Sequence, residues 1–76
     1  MEKKLGCLLP GETGIISKME TEENLVKRLK DFGFVPGVEV SCRFYSPGKH
    51  LIALKCRDTM LALRRYDANT ITVTMT

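Results

Sequence analysis

The sequence predicts a mainly β domain: a small barrel or half-barrel of about five strands, with one short α-helix inserted after the first barrel strand. Three observations carry this expectation. Short runs with a two-residue apolar period recur along the chain between turn signals, a single stretch switches to the helical period, and 76 residues suffice for one domain spanning 1–76. A chain of this size buries only about 60% of the surface its unfolded form exposes, so little core is left to enclose a deep catalytic pocket. A binding or interaction module is the natural expectation.

The first strand follows a turn. In CLLPGETGII the chain reverses at Pro10-Gly11 and then alternates Thr13, Ile15, Ser17 and Met19 against Gly14, Ile16 and Lys18. From Thr21 the period changes, and Leu25, Val26, Leu29 and Phe32 form the apolar stripe of a short helix. Thr21 is the expected N-cap, with Glu20, Glu22 and Glu23 near the positive end of the helix dipole and Lys27, Arg28 and Lys30 toward the negative end.

The stretch DFGFVPG ends that helix. Gly33 suits the left-handed C′ position, which makes Phe32 the Ccap and sets Phe34 against Leu29 in a Schellman ending, while Pro36 keeps the helix from resuming. Leu29, Phe32 and Phe34 are the expected buried scaffold of this joint. Pro36-Gly37 then launches VEVSCRFY, with Val38, Val40, Cys42 and Phe44 expected on the inner face. SPGKH turns around Pro47-Gly48, LIALKC returns, RDT turns again into MLALRR, Tyr66 to Thr70 is a polar connection, and ITVTM closes the sheet with Ile71, Val73 and Met75 inward.

Composition narrows the function. Apolar residues make up 43% and charged residues 28%, as in an ordinary globular domain, and 12 basic against 9 acidic residues give a net charge of +3. This mild excess permits acidic partners without demanding them. Three cysteines at wide spacings, Cys7, Cys42 and Cys56, fit reduced thiols in a cytoplasmic protein better than a disulfide framework. No apolar run is long enough for a membrane span, and MEKK is followed by no apolar segment of the signal-peptide kind.

Catalytic and metal chemistry find little support. His50 is the sole histidine and falls in a turn, no pair of carboxylates occupies an apolar setting, and no C-x-x-C spacing exists. Cys42 and Cys56 fall on neighbouring strands and are expected to point inward as small hydrophobes. GETG lacks the spacing of a phosphate-binding loop. The expectation is therefore no enzyme, no cofactor and no metal site. A basic face assembled from Lys27, Arg28, Lys30, Arg43, Lys55, Arg57, Arg64 and Arg65, with Phe44, Tyr45 and Tyr66 for stacking, would suit a nucleic-acid-binding barrel, although solvated strand edges explain most of these residues.

Three segments together carry a resemblance: LLPGETGIISKM, LVKRLKDFGFVPGVEV and MLALRRYDANTITV. Leu9-Pro10-Gly11, then Arg28-Leu29 through Phe32-Gly33-Phe34 to Pro36-Gly37 and Val40, then Ala62-Leu63-Arg64, Ala68, Ile71 and Val73 follow the order and spacing of the FeoA family. The chain thus resembles ferrous iron transport protein A, with an SH3-like barrel, over nearly its whole length. It departs from the pattern at SPGKH, where relatives often carry a longer turn with a Gly-Asp-Pro element. The resemblance implies a non-enzymatic cytoplasmic accessory that acts with FeoB, the membrane iron transporter bearing a cytosolic GTP-binding domain. It also implies kinship with the SH3-like domain of some metal-dependent repressors, so a stand-alone regulatory domain is an alternative. In the transporter reading, Lys27, Lys30, Asp31, Val35, Arg64 and Arg65 face the partner, while Pro10, Gly11, Leu29, Phe32, Gly33, Phe34, Pro36 and Gly37 build the frame.

Overall fold

All three prolines are followed by glycine, and in a computed structural model describing residues 1–76 each pair makes the same kind of corner. Gly11, Gly37 and Gly48 have φ of 91°, 95° and 81°. Each turn closes from the residue after glycine to the residue before proline: Glu12 N–H to Leu9 O at 2.9 Å, Val38 N–H to Val35 O at 3.3 Å, and Lys49 N–H to Ser46 O at 2.8 Å. Proline at i+1 and a positive-φ glycine at i+2 define a type II turn.

Between these corners run six strands, β1 (Glu2–Lys4), β2 (Thr13–Met19), β3 (Glu39–Tyr45), β4 (Leu51–Cys56), β5 (Thr59–Arg64) and β6 (Ile71–Met75), with α1 (Glu23–Asp31) between β2 and β3 and the single turn α2 (Arg65–Ala68) before β6. They form one antiparallel sheet in the order β1-β6-β2-β3-β4-β5, wrapped around a core that draws on nearly every element. The sixth strand is the addition to the expected set. β1 has only three residues and no apolar alternation, and its place is set by pairing Glu2 to Lys4 against Thr74 to Thr72 of β6.

The first two Pro-Gly turns clasp β2 and β3 to one another. Gly11 N–H donates to Cys42 O at 2.9 Å and Cys42 N–H returns to Glu12 O at 3.0 Å. At the other end Gly37 N–H donates to Ile16 O at 2.7 Å and Ile16 N–H to Val38 O at 3.0 Å. Each strand is launched by a turn whose glycine amide is anchored on the middle of its neighbour.

Helix α1 ends as the sequence predicts. Gly33 has φ of 80°, its N–H donates to Lys30 O at 2.9 Å, and Phe34 N–H donates to Leu29 O at 2.9 Å. These are the two bonds of a Schellman motif. Leu29 and Phe34 are both fully buried, whereas Phe32, expected beside them, is 53% exposed. Phe32 has left helical geometry, with φ −93° and ψ 4°, so its ring departs from the stripe and Phe34 occupies the core position instead. The N-terminus also differs from expectation. Glu22 rather than Thr21 is the N-cap, its two carboxylate oxygens accepting from the N–H groups of Asn24 and Leu25 at 3.0 Å each. A carboxylate satisfies two orphan amides and sits favourably on the helix dipole. The Thr21 hydroxyl pairs instead with that of Thr70 at 2.7 Å.

A β-bulge redirects β3. Its register against β4 shifts between Cys42, opposite Leu54, and Phe44, opposite Ala53. The extra residue Arg43 breaks the alternation, so Phe44 is turned outward at 58% exposure, correcting its expected inner placement, while Tyr45 packs against the core. The Tyr45 hydroxyl donates to Leu8 O. Val40, Cys42, Cys56, Ile71 and Val73 are buried as expected.

Candidate functional site

Helix α1 stands beside the end of β5 and leaves a groove of about 410 Å³ between them. Leu25 and Arg28 of α1 form one wall, Ala62, Leu63 and Arg64 of β5 the other, with Leu51 and Asp67 at its margins. Leu25 lines it because the helical period places it one turn before buried Leu29, on the margin of the apolar stripe. The groove thus has an aliphatic floor and a charged rim. Arg64 is held by its own neighbour: Nη1 donates to the Tyr66 hydroxyl at 2.6 Å, and this bond is the main cause raising its pKa above the ordinary arginine value.

The expected partner-facing residues divide in two. Lys27, Lys30 and Asp31 are exposed on α1, Val35 is half-buried in the joint, and Arg64 reaches the groove. Neither lysine has an ion-pair partner, since the pairs in the molecule are Lys3–Glu12 at 2.9 Å and Lys18–Glu20 at 3.6 Å. Arg65 is occupied within the fold. Its Nε donates to Gly6 O at 3.2 Å and its guanidinium lies 5.3 Å from the centre of the Tyr45 ring. Arg28, Leu25 and Leu51 belong to the groove although sequence reasoning left them out of the partner face; the position of Leu25 on the stripe margin was the one available signal.

A second, wholly polar depression of about 290 Å³ lies on the outside of the sheet, between Thr13, Glu39, Ser41, Arg43, Lys55 and Arg57. Nothing resembling a metal centre accompanies either hollow, as no three His, Cys, Asp or Glu side chains come together. Burial pushes the Cys42 and Cys56 thiols up from their ordinary range, so both stay protonated at neutral pH. Cys56 Sγ lies 3.8 Å from Gly33 O, tying β4 to the end of α1. Cys7 and His50 are exposed.

A six-stranded antiparallel sheet bent around one core, with a helix bridging its second and third strands and a shallow groove in place of a deep cavity, defines a small SH3-like barrel. The chain belongs to the FeoA family: the model of the FeoA domain matches residues 3–75. A solution structure of the FeoA protein from Chlorobium tepidum is 29% identical, with a TM-score of 0.92 over 96% of this chain and 70% of that one. The Stenotrophomonas maltophilia FeoA complexed with zinc, described as a prokaryotic SH3 domain protein, is 27% identical with a TM-score of 0.77 over 93% of this chain and 88% of that one. A manganese-dependent transcriptional repressor, 13% identical, shares the fold alone, with a TM-score of 0.87 over 99% of this chain and 42% of that one. No curated protein matches the chain. Family membership connects the chain with ferrous iron transport. No helix is long and apolar enough to cross a membrane.

Proposed function

We propose that this chain is a non-enzymatic cytoplasmic accessory of ferrous iron transport that acts by docking on the cytosolic part of a FeoB-type transporter. The observation that carries the reading is the groove between α1 and β5, an aliphatic floor flanked by cations that have no carboxylate partner. Such a surface gains by meeting an acidic protein surface, because Arg28 and Arg64 have no ion pair to give up and the apolar floor is not covered. Arg28 and Arg64 supply the contact at the groove, Lys27, Lys30, Asp31 and Val35 lie outside its lining and extend the contact over the exposed side of α1 and its joint, and Arg65 supports it from within through Tyr45 and Gly6. The Stenotrophomonas relative is itself described as a candidate activating factor of ferrous iron transport, which agrees with an accessory role.

The test is a titration of the chain with the cytosolic domain of the FeoB transporter from the same genome, with an oligonucleotide as control. Reversing both charges, Lys27→Glu with Lys30→Glu, should weaken docking several-fold while leaving circular dichroism and melting temperature unchanged, since both side chains are exposed and unpaired. Unaltered docking of the double variant would remove this face. A response to the oligonucleotide that falls steeply with salt, with none to the transporter domain, would replace the reading by nucleic-acid binding.

A further inference from the structure

The outer face of β3, β4 and β5 is a lattice of cross-strand rows. Phe44 stands opposite Ala53, and Ala53 opposite Ala62. The next outward row on one side is Ser41, Lys55 and Met60; on the other side it is Leu51 and Arg64. Phe44 is 58% exposed, Met60 50% and Leu51 40%, yet Ala53 between them is only 8% exposed. Buried Ala53 and exposed Ala62 thus make a low apolar strip between three large apolar side chains. The bulge at Arg43 creates it, because an unbroken β3 would have sent Phe44 into the core.

The border of this strip is cationic. Arg43 and Lys55 border it and continue into the polar depression with Arg57, and Arg64 borders the opposite end. The nearest carboxylates, Glu39, Asp58 and Asp67, form no ion pair with any of them. Phenylalanine and methionine are over-represented where proteins meet, and methionine adapts its shape to a partner.

We propose that this face receives an acidic amphipathic segment of a partner protein, its apolar side chains covering the Phe44–Ala53–Ala62 strip and its carboxylates meeting Arg43, Lys55 and Arg64. Charge decides against a second copy of this chain, which would present the same cations. The inference rests on the transporter reading and extends it, since Leu51, Ala62 and Arg64 also border the α1–β5 groove, so one partner can cover both.

The experiment uses the full chain with methyl-labelled Ala, Leu and Met, titrated with the transporter's cytosolic domain, with anionic phosphatidylglycerol vesicles and with an oligonucleotide. The domain should shift the Ala53, Ala62, Leu51 and Met60 methyls. Leu51→Ser with Met60→Ser should raise Kd about tenfold or more, and Arg43→Gln with Lys55→Gln, which spares the apolar strip, should lower the association rate and its salt dependence. Shifts confined to α1 and the Gly33–Gly37 joint would leave the accessory reading standing and overturn this inference. No response to the domain would overturn both. The same methyls responding to vesicles or oligonucleotide in place of the domain would keep the surface but refute a protein segment as its occupant.

Discussion

The Pro-Gly turns that launch β2 and β3 and the outer face of β3, β4 and β5 use their unusual residues in opposite ways. In the turns, each unusual property is consumed inside the molecule: Gly33 takes a left-handed φ, Gly37 anchors on Ile16, and Phe34 and Leu29 close the core. No partner is needed to explain any of them. On the outer face, Phe44, Leu51 and Met60 are large, apolar and exposed, and no internal contact requires them. The difference teaches that a dense cluster of sequence signals can mark a constraint of folding, whereas the proposed binding surface is read from residues for which folding has no use.

The sharpest way to break this contrast is to truncate one phenylalanine on each side of it. Phe34→Ala should cost about 3–5 kcal/mol, because Phe34 is fully buried and the ring leaves a cavity. Phe44→Ala should change stability by no more than about 0.5 kcal/mol, as for other surface positions. Urea unfolding measures both, and a comparable loss from the two would show that Phe44 is structural. A smaller effect tests the backbone. Gly33→Val should cost on the order of 2 kcal/mol, since a Cβ there meets nothing within 4 Å and only the left-handed conformation at φ 80° resists it. Ala62→Val on the outer face of β5 should be near neutral, because β-branched residues suit a strand. A Gly33→Val protein as stable as the parent would mean that α1 ends elsewhere.

Much of the frame was legible because its causes are local. Gly33 followed by Phe34, three Pro-Gly pairs, and the alternation of ITVTM each act within a few residues, and the structure shows the Schellman bonds, the three type II turns and the buried Ile71 and Val73. What failed depended on distant partners. Phe44 and Tyr45 exchange sides because the register with β4 slips at Arg43, and a period-two pattern carries no mark of a slip. β1 is a strand only because β6 is there to receive it. Thr21 lost the cap because Thr70, brought near by folding, engages its hydroxyl. Of the site, the exposure of Lys27, Lys30 and Asp31 could be read from the helical period, whereas the row of Phe44, Ala53 and Ala62 could not, because it is assembled across three strands.

The two clasping turns themselves differ by one charge, and this gives the smallest and most specific effect. Leu9-Pro10-Gly11-Glu12 corresponds position by position to Val35-Pro36-Gly37-Val38, so Glu12 stands where the second turn has Val38. Glu12 Oε1 accepts from Leu9 N–H at 2.8 Å and from Lys3 Nζ at 2.9 Å, bracing the first turn against β1. The Leu9 amide first, and Lys3 second, hold its carboxyl below the ordinary value of 4.5. A depressed folded value means that the stabilisation is complete above the ordinary value and is lost as pH falls through the lower, folded one. The parent should therefore surpass Glu12→Gln at neutral pH, and their urea midpoints should converge as pH falls through the lowered, folded value of the carboxyl. Lys55→Gln on the outer face should leave the profile unchanged, since Lys55 has no ion pair to lose. A constant gap between the parent and Glu12→Gln across the acid range would show that the carboxylate charge contributes nothing, and that the first turn, like the second, is held by its backbone alone.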